Sequence, residues 1–265
     1  MPQARRRRWP WLLAAFSLLL LGGGIWINAQ LEPRQLAATV LGKAGEALQL
    51  KLGFQGTPDY AFRPEPRLVL PGFTAASLDG EVFLSAKRAE ISLPWSTITG
   101  GEPVITRVQL DSPVLDLPGL RRWLASRPPS PFKLPTLRRG LVVTDAAVVD
   151  ASWSLRKLSL GLPHLQAGDV AKLDAHGEFL SEGDAHPFVL TAIATTPGLD
   201  SDLDLKLRFD PVANPTAKAV ASAPKPPKPA PISIAFVGHY AWVDPRLSLE
   251  AKQLALVASS PLPSL

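Results

Sequence analysis

The chain has no cysteine, which excludes thiol nucleophiles, cysteine zinc sites and disulfide staples. That absence suits the space outside a bacterial inner membrane, although cytosolic proteins can also lack cysteine. Histidine is sparse too: His164, His176, His186 and His239 are scattered one to a segment. The sequence contains no HExxH, no GxSxG elbow, no GxxxxGK[ST] phosphate loop and no GxGxxG, so no familiar catalytic or nucleotide-binding spacing is present. We therefore expect a non-enzyme that needs no cofactor and no metal. Two metal-binding arrangements are the alternatives. His176, His186 and Asp184 could approach one another around a metal, and Asp200, Asp202 and Asp204 could imitate a calcium loop. In an extended strand, however, those three acids would stand about 6.6 Å apart, too far for one ion.

An excess of positive charge is missing from the body once the charge is located. The net charge is +5, but Arg5, Arg6, Arg7 and Arg8 carry four of those charges and leave +1 for the remainder. A nearly neutral body removes the case for nucleic acid as a partner. Tyrosine is rare at two residues against seven tryptophans, and none of Trp95, Trp123, Trp153 and Trp242 in the body lies in a basic, aromatic-interleaved stretch of the single-strand-binding kind. Charged residues make up 19% and apolar residues 46% of the 265, so the chain has the means to bury a core.

What is present begins with a run lacking any charge, from Trp9 to Leu31. About 20 apolar residues in a helix cross the roughly 30 Å hydrocarbon layer. Trp9 and Trp11 at one end and Trp26 at the other fall where amphipathic rings prefer the headgroup zone. Arg5–Arg8 before the run, against Glu32 and Arg34 after it, place the N-terminus in the cytoplasm by the positive-inside rule. A cleaved signal peptide is the competing reading, but its apolar core is usually about 7–15 residues long, and Ile27-Asn28-Ala29 matches a small-x-small cleavage site poorly. Both readings export the rest of the chain. We expect a basic cytoplasmic tail over 1–8, a single-pass anchor over 9–31 and a body beyond the membrane.

Within the body, Leu36, Val40, Leu41, Ala44 and Leu48 keep helical spacing, which predicts a short helix over 33–46. The period then changes to two. Leu48, Leu50, Leu52 and Phe54 alternate with polar residues or glycine. The beat returns at Ala89, Ile91 and Leu93, again at Val104, Thr106, Val108 and Leu110, and most cleanly at Leu203, Leu205, Leu207 and Phe209. Strict alternation puts apolar side chains on one face of a strand and polar ones on the other, the pattern of antiparallel sheets wetted on one side. Further strands are predicted at Arg67–Leu70, Glu81–Leu84, Leu141–Thr144, Ala147–Ser152, Arg156–Leu160, Leu173–Phe179, Phe188–Ala194, Ile232–Tyr240 and Leu247–Leu256. A second brief helix is predicted at Leu120–Ala125. Turn signals at Asp79-Gly80, Thr99-Gly100-Gly101 and Pro197-Gly198 divide the strands. Proline-rich 127–135 and the Pro/Ala/Lys-rich segment 211–231 read as breaks. This divides the body into a module over 32–126, a second meander over 136–210, a loop over 211–231 and terminal strands over 232–265.

The order of parts is also familiar. An anchor and short helix lead to Pro66-Arg67-Leu68-Val69-Leu70-Pro71-Gly72-Phe73, then to Ser85-Ala86-Lys87-Arg88-Ala89-Glu90-Ile91-Ser92-Leu93-Pro94-Trp95, and then to Val104 through Leu115. Over residues 10–118 this resembles the N-terminal region of the AsmA-like family of bacterial envelope proteins, and Leu141–Leu180 resembles the meander that follows. The resemblance implies an all-β body with an N-terminal transmembrane helix, its antiparallel meander curled into an open, taco-like groove with one or two short helices. It also implies a place in the inner membrane with the body in the periplasm, and a role in outer-membrane biogenesis by moving phospholipid between membranes. The chain is shorter than many members of that family. Its expected partners are membrane lipids, phospholipid above all, and possible envelope proteins. On this reading the groove is lined by Leu48, Leu50, Leu52, Leu68, Leu70, Ile91, Leu93, Val108, Leu110, Leu203, Leu205 and Leu207. A dozen strands at about 4.8 Å would make a sheet roughly 58 Å across, short for a bridge to the outer membrane unaided. The rival reading is a tethered scaffold of an envelope secretion machine that binds only protein. A groove open along its length favours lipid; a closed sandwich with a bare edge strand favours protein.

Overall fold

The structure is a computed structural model that describes residues 33–61, 65–94, 105–126, 134, 136–211, 231–243 and 246–258. Among them no helix is long and apolar enough to cross a membrane, and the anchor expected over 9–31, with Arg5–Arg8, Trp9, Trp11 and Trp26, lies outside the described residues.

Helix α1 spans Pro33–Leu48, with proline in the first turn where its missing N–H costs nothing. It runs two residues past its expected end and closes with a Schellman turn. Gln49 adopts φ 57°, and the Gln49 and Leu50 amides donate back to the Glu46 and Gly45 carbonyls at 3.3 and 2.8 Å. The strand expected from Leu48 to Phe54 is corrected accordingly. Leu48 ends the helix, and strand β1 is only Lys51–Gly53.

The remaining strands are β2 (Asp59–Ala61), β3 (Arg67–Ala76), β4 (Val82–Ser92), β5 (Arg107–Asp111), β6 (Val114–Asp116), β7 (Leu141–Val149), β8 (Trp153–Leu162), β9 (Ala171–Ser181), β10 (Asp184–Ala194), β11 (Asp200–Phe209), β12 (Ile232–Val243) and β13 (Arg246–Ala258). The segments expected at Glu81–Leu84 and Ala89–Leu93 fall in the single strand β4, which leaves out Glu81 and Leu93, and those at Leu141–Thr144 and Ala147–Ser152 fall in the single strand β7, which stops at Val149. Helix α2 (Leu117–Ser126) covers the expected Leu120–Ala125. The Asp116 carboxylate caps it, accepting the Gly119 amide at 3.2 Å.

All thirteen strands join one sheet, whose main path runs β1-β3-β4-β5-β7-β8-β9-β10-β11-β12-β13. Eleven strands on that path, at about 4.8 Å per spacing, make a sheet roughly 48 Å wide. It is mostly an antiparallel meander, as expected, with one departure. β5 and β6 pair with β7 in parallel. A parallel pair needs a crossover of a dozen or more residues, and the stretch holding α2 between Asp116 and Leu141 supplies it. The sheet therefore passes without interruption from the module before residue 126 into the meander after 136.

A line of left-handed residues crosses this sheet. Gly72 (φ 57°) lies level with Lys87 between the Pro71–Arg88 and Phe73–Ala86 pairs. Ser112 (φ 45°) separates β5 from β6, and Asp145 (φ 53°) stands beside it in β7. Lys157 (φ 50°) sits at the register shift between β8 and β9, opposite Gly177. Each such residue resets the inside–outside alternation and bends its strand. Thus Leu70 before the line and Phe73 after it, odd in spacing, both reach the same core cluster.

Candidate functional site: the apolar face

The register aligns apolar residues strand after strand. Leu70 pairs with Ala89, which pairs with Leu110, and Leu110 lies beside Val143 in the parallel pair. Val143 pairs with Leu160 and Leu160 with Ala175. The row continues through Leu190, Leu207, Ile234 and Leu256. Ten neighbouring strands thus present an aliphatic residue at one level of one face. A second row runs beside it: Leu68, Ile91, Val108, Leu141 and Leu162 across the first strands, and Leu173, Ala192, Leu205, Phe236 and Leu254 across the last.

Among the described residues only one end of this face is covered. Ala37 and Leu41 of α1 pack on Leu68, Leu70 and Ala89, with Leu52, Phe54, Tyr60, Ile91 and Leu110 around them. Burial raises the Tyr60 hydroxyl above its ordinary pKa. α2 adds a smaller patch, with Trp123 stacked on Phe83 at 5.4 Å and its indole N–H donating to the Gln49 carbonyl. From β7 onward each strand touches its sheet neighbours, and no second layer of described elements lies over the face. Exposure follows: Leu70 is fully buried, whereas Leu254 and Leu256 are 69% and 68% exposed.

The residues expected to line a groove divide by location. Leu68, Leu70, Ile91 and Leu110 lie on the apolar face in or against the core under α1, Val108 stands beside Ile91 in the second row, and Leu203, Leu205 and Leu207 lie half-buried on the same face where no described element covers it. Leu52 in β1 packs against that core, Leu50 links α1 to β1, and Leu93 follows β4 with its amide on the Pro66 carbonyl at 2.8 Å. Leu48 is on the helix end, 45% exposed. Leu160, Leu190, Ile234 and Leu256, which complete the bare part of the row, were not among the expected lining residues. Their strands were legible from alternation; their common level appears only in the register. An aromatic group at the rim was likewise missed, in which Phe179 lies 6.0 Å from Trp153 and 6.3 Å from Phe209, and Phe188 lies 6.2 Å from Phe209.

The other face is polar and largely self-neutralised. Lys172 bonds Asp174 at 3.0 Å, Lys157 bonds Glu178 at 2.8 Å, and Asp202 takes Lys252 at 3.2 Å and His239 at 3.3 Å. Those hydrogen bonds hold the Asp202 carboxyl below the usual range, first through Lys252 and then His239, and Lys172 does the same for Asp174. Asp200, Asp202 and Asp204 are thus spread along β11, beside His239, Lys252 and Lys206 in turn. His176 and His186 occupy opposite faces, since Glu178 and His176 share a face with Pro187 and Val189 and His186 does not. No group of metal-binding side chains forms among the described residues.

No family model, no curated protein and no solved structure matches this chain. The functional reading therefore rests on the sheet itself.

Proposed function

We propose that this protein is an inner-membrane-anchored periplasmic member of the AsmA-like type, which uses the bare part of its apolar face to bind or pass on phospholipid acyl chains during outer-membrane biogenesis. The observation that carries the reading is the unbroken aliphatic row, covered by α1 at one end and without a second layer of described elements from β7 to β13, where exposure reaches 68% at Leu256. Six spacings between those strands give about 29 Å of row. A bilayer core of about 30 Å holds two acyl layers, so the bare row offers the length of two chains end to end. Each buried methylene contributes about 0.8 kcal/mol, and a row with no polar step presents no comparable barrier to sliding. The bends along the Gly72–Ser112–Asp145–Lys157 line are the means by which a flat sheet curls into a groove. The motif order and the charge-free run over 9–31 support the family and topology. The reading assigns no catalytic residue and no cofactor.

One observation favours the scaffold alternative. Among the described residues β13 ends the sheet with an unpaired edge, and Leu249 and Val257 on it are more than half exposed, which suits pairing with another protein's strand.

The deciding experiment is native mass spectrometry of the full chain released from mild detergent. Phospholipid bound to the wild type and lost in Leu190→Asp/Leu207→Asp, with the β circular-dichroism signal kept, is the expected outcome. A folded chain that carries no lipid, under conditions where a known lipid carrier does, moves the function to the scaffold reading.

A further inference from the structure

The polar face has a cluster that the lipid reading does not use. At the ends of three neighbouring strands, Arg67 of β3 pairs with Ser92 of β4, and Ser92 with Arg107 of β5. Two arginines therefore flank a serine at one level. Arg139 joins them, its amide held by the Thr106 carbonyl at 2.7 Å, and these side chains share a cleft with Glu65, Glu90 and Gln109.

Among the described residues the charges in this cleft do not cancel. Glu90 is buried and already held by two guanidinium groups, Arg67 at 3.3 Å and Arg88 at 2.5 Å. Glu65 is held by Arg139 at 3.1 Å and by the Thr106 hydroxyl at 3.1 Å. Arg107 has no ion pair or hydrogen bond from its side chain among the described residues, and its Nε is buried without an acceptor. The Nε of Arg67 is buried and unpaired in the same way. Buried donors nearly always have an acceptor, and a guanidinium fork matches the oxygens of a phosphate or carboxylate in two parallel bonds. Two orphaned Nε donors on one cleft, with Arg139 beside them and a serine between, call for an acceptor with several oxygens and negative charge.

We propose that the Arg67–Arg107–Arg139 cleft is an oxyanion site that binds a phosphate group, with Arg107 as its main ligand and Ser92 as a neutral donor. The phosphate can come from free inorganic phosphate or from a phospholipid headgroup, and the two are told apart by the ester. The site stands on the polar face and does not depend on the lipid reading of the apolar one.

The test is isothermal titration calorimetry of the full chain in detergent at constant ionic strength, with inorganic phosphate in one arm and glycerophosphoglycerol, a headgroup diester without acyl chains, in the other. Saturable binding is expected, weakened at least tenfold in Arg107→Gln, less in Arg107→Lys, and unchanged in Leu190→Asp/Leu207→Asp. Binding of the diester identifies a headgroup site, and binding of inorganic phosphate alone a free-phosphate site. Absence of binding in both arms by the folded wild type, or equal binding by folded Arg107→Gln, overturns the proposal.

Discussion

Ser112 and Asp145 stand side by side in the parallel pairing of β5–β6 with β7, both with left-handed backbone, and the Ser112 hydroxyl donates to the Asp145 carboxylate at 3.3 Å. Two adjacent strands are therefore bent at the same level, which bends the sheet rather than fraying it. Non-glycine residues in that region are mostly Asn and Asp, whose short polar side chains bond locally, so aspartate is well chosen here.

Asp145→Val should destabilise the protein by about 1–2 kcal/mol, the cost of a side chain forced to positive φ, whereas Asp145→Asn should stay within about 0.5 kcal/mol. Urea midpoints of the two variants decide it; equal midpoints would mean that the bend places no demand on the residue.

The same aliphatic row should respond differently at its two ends. Leu70 is fully buried under α1 and Leu256 is 68% exposed. Leu70→Ala should cost about 2–5 kcal/mol, and Leu256→Ala about 0.5 kcal/mol or less. A large loss at Leu256 in lipid-free protein would reveal a cover over the far end of the face.

Gly140, at φ 73°, precedes β7, and a Cβ there would lie 1.7 Å from the Leu162 backbone oxygen. Gly140→Ala should break the β7–β8 junction and cost several kcal/mol, about 3 or more. Gly161, in the neighbouring strand, has open space where its Cβ would be, so Gly161→Ala should be neutral or stabilising by about 0.5–1 kcal/mol. Thermal melts of the pair, measured side by side, make the comparison.

Acid should weaken the polar face of the last strands. The folded Asp202 and Asp174 carboxyls lie below their usual range because of Lys252 with His239, and of Lys172. A depressed folded pKa contributes stability that is full above the unfolded value, about 3.9, and is lost as pH falls through the folded one. Denaturation midpoints should therefore hold down to about pH 5 and fall below about pH 4. Asp202→Asn should flatten part of that fall, and added salt should shrink it, because both groups face solvent. An identical acid slope in the variant would remove Asp202 from the account.

Much of the sheet was legible because alternation is a local signal. Leu203, Leu205, Leu207 and Phe209 against Asp202, Asp204, Lys206 and Arg208 need only their own strand to declare two faces, and the short helix around Trp123 could be read from its own residues. Leu48 misled because the alternating beat began inside a helix, and a Schellman turn at Gln49 and Leu50, not the pattern of side chains, sets where α1 stops. The gap left at Asp145 between two expected strands is a bend within the single strand β7, since a left-handed residue interrupts alternation just as a turn does.

By itself, then, the sequence determined that an apolar and a polar face exist, because side-chain period follows from backbone geometry one strand at a time. Only the tertiary structure decided that β5 and β6 run parallel to β7, that Leu70 and Leu256 end one ten-strand row, that α1 covers the row's beginning and not its remainder, and that Arg67 and Arg107 meet around Ser92. Those are relations between residues far apart in the chain, and they are set by strand register and crossover, which no local pattern of residues encodes.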